Sequence, residues 1–248
     1  MKRSERNREV RRIRKLALAS EKFRPHKVRV GDGIELHHRD FRNLDLPPKS
    51  VDLIFTDPPY DRDYPRLWDE LGDFAARALK PGCLLVSYAG NRYLRDVWDR
   101  LSSHLDFVVL GGLYMAGNCH SRDYGAQVIE TSKSLLFFSA GSYEPRRFFR
   151  NGHWAEKPEK TLHVWQQEIS CARYYVETLT EPGQLVVDPL LGSGTDGLAC
   201  LELGRRFVGC DIDEDAVRIS TERLAPGGSQ RIDLPAVAAG VAETVEAA

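Results

Sequence analysis

The sequence predicts an α/β fold of one domain, and three observations support this. From about residue 34 onward, short apolar runs typical of strands alternate with segments whose apolar residues recur at helical spacing. The run at 51–56 predicts a strongly buried strand, because it is largely apolar and a turn with two prolines closes it. A glycine-rich turn at 188–195 joins a later strand to a helix.

The same patterns give the order of the elements. Strands are predicted at 34–39, 51–56, 84–88, 107–110, 135–138, 185–187 and 206–210. Helices are predicted at 4–22, 66–79, 94–101 and 169–179, then after residue 195 and again from residue 214. The triplet Lys80, Pro81 and Gly82 is expected to stop the second helix. The segments 112–133 and 142–160 are expected to be irregular.

Charge divides the chain into three parts. Residues 1–30 carry twelve Lys or Arg and three Glu, a balance of +9, so the rest carries −10 to reach the net −1. This basic arm is interpreted as a handle for a polyanion or, equally well, as a solvated tail. Residues 31–225 are predicted to form the α/β domain. Residues 226–248 contain few large apolar side chains and are expected to be disordered.

Composition argues against several classes of protein. The five cysteines are scattered without a Cys-x-x-Cys pair, which favours reduced thiols in the cytoplasm and no metal site. The amino terminus is charged, with no apolar stretch behind it, so no signal peptide is expected. The longest apolar runs are too short to span a bilayer.

The turn at 188–195 has the properties of a ligand cradle. Glycines allow a ligand to approach the backbone, and the amino end of a helix favours negative groups. Asp211 follows Gly192 by nineteen residues, at the end of the next predicted strand, where a carboxylate can bind ribose hydroxyls. Gly192, Gly194 and Gly197 also fit the dinucleotide pattern G-x-G-x-x-G. Two features argue against a dinucleotide: the Asp-Pro-Leu-Leu spacer before Gly192, and the absence of a second half after the unit.

The turn Asp57-Pro58-Pro59-Tyr60 ends the most strongly predicted strand, where ligand crevices form in open α/β sheets. A carboxylate and the Pro58 carbonyl offer two fixed acceptors for the hydrogens of an amine whose lone pair is delocalised. The prolines fix φ and make the turn rigid, and Tyr60 offers a ring on which a flipped base can stack. Taken singly, Asp57 is better explained as a turn acid that caps the next segment, and Tyr60 as a half-buried core aromatic.

Together the two blocks resemble the beta class of DNA amino-methyltransferases. In that class a D-P-P-Y catalytic block precedes a D-P-F-x-G-S-G-T cofactor block, as residues 57–60 precede residues 188–195 here. The resemblance covers about residues 34–224. It implies a Rossmann-like, seven-stranded, circularly permuted sheet and S-adenosylmethionine as the cofactor. It also implies methylation of adenine N6 or cytosine N4, and Asp57 in place of a serine favours adenine.

The resemblance assigns site residues one by one. It implies catalytic roles for Asp57, Pro58, Pro59 and Tyr60. For the cofactor it implies Asp188, Pro189, Gly192, Ser193, Gly194, Thr195 and, at the ribose, Asp211. Asp40 and Phe41 are candidates for the adenine end of the cofactor, although Asp40 also fits a surface turn. The chain departs from the pattern in having Leu190 for phenylalanine and Asp196 for a second threonine.

DNA is the expected partner. Arg146, Arg147 and Arg150 alternate with aromatic residues, a pattern that suits phosphate contacts and base stacking but also an ordinary basic loop. Arg11 and Arg12 of the arm are expected to add phosphate contacts. Only 112–133 and 142–160 are available to recognise a target sequence, which predicts modest specificity or a separate specificity or restriction partner, with a homodimer as a further expectation.

Three other functions stay open at this stage. The same chemistry could act on RNA or on a protein amide. A DNA-binding module without catalysis would retain the basic arm and lack cofactor binding. An NAD-linked oxidoreductase is disfavoured, because no Tyr-x-x-x-Lys pair accompanies the glycine loop.

Overall fold

The computed structural model describes residues 24–59, 65–115, 121–123, 127–155 and 169–226. Its strands are β1 (His26–Arg29), β2 (Ile34–His38), β3 (Val51–Thr56), β4 (Leu79–Ala89), β5 (Asp106–Tyr114), β6 (Ser121–Asp123), β7 (Val128–Glu130), β8 (Ser132–Ser139), β9 (Gly152–Trp154), β10 (Leu185–Asp188) and β11 (Arg206–Asp211). Its α-helices are α1 (Pro65–Ala78), α2 (Leu94–Leu101), α3 (Ile169–Leu179), α4 (Thr195–Glu202) and α5 (Glu214–Leu224).

One mixed sheet organises these elements, in the order β1-β2-β11-β10-β3-β4-β8-β5-β9. The five strands from β2 to β4 in that order are parallel, β8 is antiparallel to both of its neighbours, and β9 is parallel to β5. The seven strands from β2 to β5 form the predicted α/β core, and the short strands β1 and β9 extend it at either side. The late strands β10 and β11 lie in the middle of the sheet, so the circular permutation is visible in the topology.

Apolar side chains cover both faces of the sheet, which explains why its central strands are apolar almost throughout. On β3, Phe55 packs into one core with Phe137 and Tyr175, and Ile54 packs into the other with Phe74. All six residues of β3 are buried. The sheet is therefore a rigid support, and its strand ends are the places where functional side chains can reach solvent.

The connections leave in opposite directions from the neighbouring strands β10 and β3, and the crevice of the fold lies between these two strands. From β3 the chain continues through α1 to β4 on one side, and from β10 it continues through α4 to β11 on the other side. Ligands of open α/β sheets bind at the carboxyl ends of strands at such a switch point. The turn after β3 and the loop after β10 both emerge there.

Several predicted boundaries are corrected. Lys80, Pro81 and Gly82 lie within β4 and not in a helix stop, since pairing with β3 begins at Leu79. The segment 112–133 contains the end of β5, the β6–β7 hairpin and the first residues of β8, and the segment 142–160 contains β9. The sheet begins at His26, inside the segment assigned to the basic arm. The predicted helix at 4–22 and nearly all of the tail at 226–248 lie outside the described residues.

Candidate active site

The first part of the site is the turn that follows β3. Asp57 is partly exposed and its Oδ2 lies 3.6 Å from the Nζ of Lys133, near the start of β8. That ammonium also lies 5.5 Å from the centre of the Tyr88 ring, which is fully buried in β4. Pro58 is buried and Pro59 is half-buried, whereas Tyr60 lies outside the described residues. Lys133 was not predicted, because nothing local in the sequence pairs it with a residue on another strand.

The second part is the loop between β10 and α4. Gly192 and Gly194 adopt positive φ angles of 52° and 73°, and Gly194 is the N-cap of α4. A Cβ at Gly194 would lie 2.8 Å from the hydroxyl oxygen of Ser220 in α5, so a larger residue fits neither the backbone nor the space. Pro189 is buried in the same loop. The loop is thus fixed by its glycines against α5.

Two charged side chains from outside the loop hold its backbone in place. Asp211, at the end of β11, accepts hydrogen bonds from the amides of Gly192 and Asp213, each 3.0 Å long. Arg223 of α5 donates to the carbonyl of Ser193 at 2.9 Å and to the hydroxyl of Thr195 at 3.1 Å. Arg223 is a residue that the sequence did not point to, because its partners are about 30 positions away.

A buried hydrogen bond joins the two parts. The hydroxyl of Thr56, the last residue of β3, donates to Oδ1 of Asp188, the last residue of β10, over 2.8 Å. The amide of Leu190 donates to the same oxygen at 3.0 Å. The catalytic turn predicted after β3 and the cofactor loop predicted after β10 are therefore neighbours at one edge of the sheet.

The carboxyl groups at this edge are electrostatically unusual. The pKa of Asp188 is raised to about 7, mainly by burial and also by the charges of Asp211 and Asp57, against the hydrogen bonds from Leu190 and Thr56 that lower it. Burial also raises the pKa of Asp196 well above its ordinary value, together with the charges of Asp188 and Asp57, while Arg223 opposes the shift. Several acidic groups therefore lie close together at this edge with little solvent, and a bound cation would offset their mutual repulsion.

These residues fit a nucleoside ligand that carries a positive charge. A carboxylate has about four acceptor sites, so Asp211 keeps acceptor capacity for ribose hydroxyls beyond its two backbone bonds. The loop from Gly192 to Thr195 gives a ligand close access to the backbone. Asp188 and Asp196 complement a sulfonium or an ammonium group, so the residues present fit S-adenosylmethionine.

The two candidates for the adenine end lie at the same edge but are already engaged. The amide of Arg39 donates to the carbonyl of Asp211 at 2.8 Å, which places the turn after β2 beside β11. Both carboxylate oxygens of Asp40 are bound by Arg42, including Nε at 2.7 Å. Phe41 is buried, with its ring edge-on to Phe74. Their contact with a cofactor stays a prediction.

Two of the predicted DNA-binding arginines, Arg146 and Arg147, are not brought to this edge. Arg147 pairs with Glu181, and Arg146 lies 3.5 Å from Gln184. Glu181 and Gln184 come just before β10 and therefore lie at the amino ends of the parallel strands. The guanidinium of Arg150 lies 4.8 Å from the centre of the Tyr174 ring. The arm residues Arg11 and Arg12 lie outside the described residues. DNA contact by all five arginines stays a prediction.

Two properties of the described part of the chain bear on other classes of function. Among its side chains, no cluster of three or more His, Cys, Asp or Glu is arranged to hold a metal ion. None of its helices has the length and apolar character needed to cross a membrane. The four cysteines found there, Cys83, Cys171, Cys200 and Cys210, are buried free thiols.

Comparison with known proteins supplies the family. A family model described as DNA methylase, of the N6/N4 type, matches residues 86–222, a span that contains the glycine loop and Asp211. The Type II methyltransferase M.HpaI of Haemophilus parainfluenzae is 24% identical over 219 residues, covering 72% of this chain and 69% of that protein.

Solved structures share the fold. The M1.HpyAVI–SAM complex has a TM-score of 0.63 at 23% identity, covering 77% of this chain and 98% of that one. The cytosine-N4-specific PvuII DNA methyltransferase has a TM-score of 0.67 at 16% identity, covering 77% and 86%. The fold class predicted from the sequence is confirmed, and S-adenosylmethionine is the cofactor on which this family depends. The chain belongs to the N6/N4 family of DNA amino-methyltransferases.

Proposed function

We propose that this chain transfers a methyl group from S-adenosylmethionine to the exocyclic amino group of a flipped DNA base, and that the base is adenine. DNA methylation at N6 or N4 follows from the family. The observation that carries the assignment of the site is the 2.8 Å hydrogen bond from Thr56 to Asp188, because it holds the turn of Asp57 against the cofactor loop.

Asp57 and the turn that contains it orient the amino group of the base for methylation. Its carboxylate accepts one N–H of the base, and the carbonyl of Pro58 accepts the other. Two acceptors fixed by the prolines favour a pyramidal nitrogen whose lone pair is directed at the cofactor. Lys133, 3.6 Å from Asp57, holds that carboxylate in place and offsets the nearby charge of other acidic groups.

The cofactor loop orients the second reactant. Bound S-adenosylmethionine supplies an electrophilic methyl group on a cationic sulfur. Asp211 binds the ribose hydroxyls, and Asp188, Gly192, Gly194 and Thr195 line the rest of the ligand, with Pro189 and Ser193 completing the loop. A direct displacement needs positioning more than a strong base. Asp57 accepts the surplus proton from the methylated nitrogen or passes it to water.

The choice of adenine rests on Asp57. The cytosine-N4 branch of the beta class, which this chain resembles, more often carries serine before Pro-Pro-Tyr, and this chain carries aspartate. The structural likeness to a methyltransferase specific for cytosine N4 does not decide the base, since it reflects the fold. A separate specificity or restriction partner and a homodimer stay predictions.

Nucleoside analysis tests the proposal. The full-length protein is incubated with methyl-labelled S-adenosylmethionine and unmethylated DNA, and the DNA is digested to nucleosides. We expect N6-methyladenine. N4-methylcytosine would contradict the choice of base, and label that never enters DNA would contradict the function.

A pair of variants tests the catalytic assignment. Asp57→Ala is expected to lower the transfer rate by on the order of 100-fold or more, since it removes an acceptor that acts at the reacting nitrogen. Its affinity for S-adenosylmethionine should change little. Asp45→Ala, which removes an exposed acid elsewhere, is the matched control and should transfer at the wild-type rate. Normal turnover by Asp57→Ala would exclude Asp57 from catalysis.

A further inference from the structure

Two aromatic rings stack on each other at the outer side of the sheet. Tyr114 ends β5 and Trp154 ends β9, and the register pairs them across the two strands. Their ring centres are 4.9 Å apart, with 30° between the planes. Tyr114 is 40% exposed and Trp154 is 71% exposed. Large apolar rings usually reach this exposure only singly, so a stacked and exposed pair points to a ligand.

Glycines beneath the pair shape it into a flat surface. Gly112 of β5 and Gly152 of β9 are paired in the register, two positions before the rings. A Cβ at Gly152 would lie 2.9 Å from the Tyr114 ring, and a Cβ at Gly112 would lie 3.4 Å from it. The ring therefore lies directly on the backbone of both strands. The amide of Ala155 donates to the carbonyl of Tyr114 at 2.8 Å and fixes the end of β9.

The pair lies on the edge of the sheet that carries the catalytic turn. Both β5 and β9 run parallel to β4, so their carboxyl ends reach the same edge as the end of β3. Leu113, next to Tyr114, is paired with Lys133, whose ammonium reaches Asp57. Three strand spacings of about 4.8 Å separate β5 from β3, and four separate β9 from β3, so the strands that carry the two rings lie roughly 14 and 19 Å from the strand that leads to Asp57. Those lengths correspond to about four to six base steps of B-form DNA.

Because the proposed function brings DNA to the edge of the sheet that carries Asp57, a base of that DNA is the occupant that the position of the pair favours. Aromatic faces stack with any base at about 1–3 kcal/mol per base, without a hydrogen-bonded partner.

We propose that Tyr114 and Trp154 form a stacking platform for an unpaired base of the DNA strand, a few nucleotides from the base to be methylated. The proposal rests on the proposed function, because it assigns the platform to the same DNA. The platform secures the strand beside the flipped nucleotide and contributes to affinity for DNA, while the reaction itself stays with Asp57.

Fluorescence anisotropy with a labelled, mixed-sequence single-stranded DNA of 16 nucleotides tests the platform directly. Trp154→Leu is expected to raise the Kd about tenfold or more, the loss of one stacked base. Trp154→Phe keeps a ring and should bind nearly as well as the wild type. Phe107→Leu is the matched control, because Phe107 stacks on Trp98 and is 39% exposed at the opposite end of β5.

Three further measurements complete the test. A strand of the same length without bases should bind Trp154→Leu and the wild type equally, since only phosphates remain. In the methylation assay, Trp154→Leu should raise the KM for DNA and leave kcat and cofactor affinity unchanged. Circular dichroism should show that each variant is folded. The binding assay needs no methyl transfer, so it separates a failure of the platform from a failure of the proposed function.

Several outcomes would overturn the platform. Wild-type affinity in Trp154→Leu would do so, as would an equal loss in Phe107→Leu or an equal loss on the strand without bases. Analytical ultracentrifugation tests one further outcome. If the wild type is a dimer and Trp154→Leu is a monomer, the two rings form a contact between copies of the chain and not a site for a base.

Discussion

Replacing Thr56 by valine removes the hydrogen bond between the two halves of the site and little else. Valine has nearly the shape of threonine, and Thr56 is fully buried, so no cavity of note opens. Asp188 loses the hydroxyl donor at 2.8 Å and keeps the amide of Leu190 at 3.0 Å. The free energy of unfolding should fall by an amount that depends on pH.

The magnitude follows from the charge of Asp188. Its pKa of about 7 leaves the carboxyl group mostly neutral at pH 6, where the lost bond is worth about 0.5–1.5 kcal/mol. At pH 8.5 the group is ionised, and a hydrogen bond to a charged acceptor is worth about 1.5–3 kcal/mol. The destabilisation caused by Thr56→Val should therefore roughly double between pH 6 and pH 8.5.

The direction agrees with proton linkage. The pKa of Asp188 is raised in the folded state, so between its ordinary value of 3.8 and about 7 the folded chain binds the extra proton. Stability from this group is thus greatest at low pH and declines as the pH rises through that window. Thr56 stabilises the ionised form, so its loss raises the pKa of Asp188 further and extends the decline to higher pH.

Urea unfolding at pH 6, 7 and 8.5 measures the effect. Ser87→Ala is the matched control, because Ser87 is also fully buried, is the register partner of Thr56 and donates to the carbonyl of Tyr88 at 3.1 Å. Its cost should not change with pH, since no titrating group receives its hydrogen bond. A cost of Thr56→Val that is constant with pH, and equal to that of Ser87→Ala, would refute the reasoning.

Two further substitutions probe the two halves separately. Lys133→Met removes a charge 3.6 Å from Asp57, an interaction of roughly 1 kcal/mol at the dielectric constant of water and more in partial burial, so turnover should fall about tenfold while cofactor affinity holds. Steady-state kinetics checks this, and an unchanged kcat contradicts it. Gly194→Ala meets both a φ of 73° and Ser220, so calorimetry should detect weaker cofactor binding by about tenfold. Gly141→Ala has a similar φ of 81° with nothing within 4 Å, and should bind normally; equal losses in both would point to general destabilisation.

The central strands and the cofactor loop could be predicted because their signals are local. Val51–Thr56 is a run of buried residues, and such a run is apolar whichever strands flank it. The glycines of the loop indicate positive φ angles at their own positions, and Asp211 ends the next strand along the chain. The family pattern then supplied what spacing alone leaves open, namely which ligand the loop binds.

Contacts across the sheet could not be predicted from such signals. Lys133 meets Asp57, and Arg223 supports Ser193, only because distant elements pack together. The β6–β7 hairpin is short and has little apolar periodicity, so it produced no pattern. In each case the partner that determines where a residue lies is far from that residue along the chain.

The reversed direction of β8 explains the position of the arginine-rich segment. Ser134 of β8 is paired with Ala89 at the end of β4, and Ser139 is paired with Leu84 near its beginning. The chain that leaves β8 therefore emerges at the amino edge, where Arg147 meets Glu181. Alternating charges and aromatic residues in a sequence carry no information about the edge at which they emerge.

The permuted order of the two blocks adds little to the free energy needed to bring the two parts of the site together. Thr56 and Asp188 are separated by 132 positions, and the entropy of closing a loop grows only with the logarithm of its length, which gives about 4 kcal/mol for this separation. A separation of ten residues would still cost about 2 kcal/mol, so distance along the chain adds only about 2 kcal/mol. Burial of one or two large apolar side chains of β3 or β10 offsets that difference, at about 1.5–3 kcal/mol each. The neighbours of each strand, and not the place where the chain begins, determine which side chains meet at the switch point.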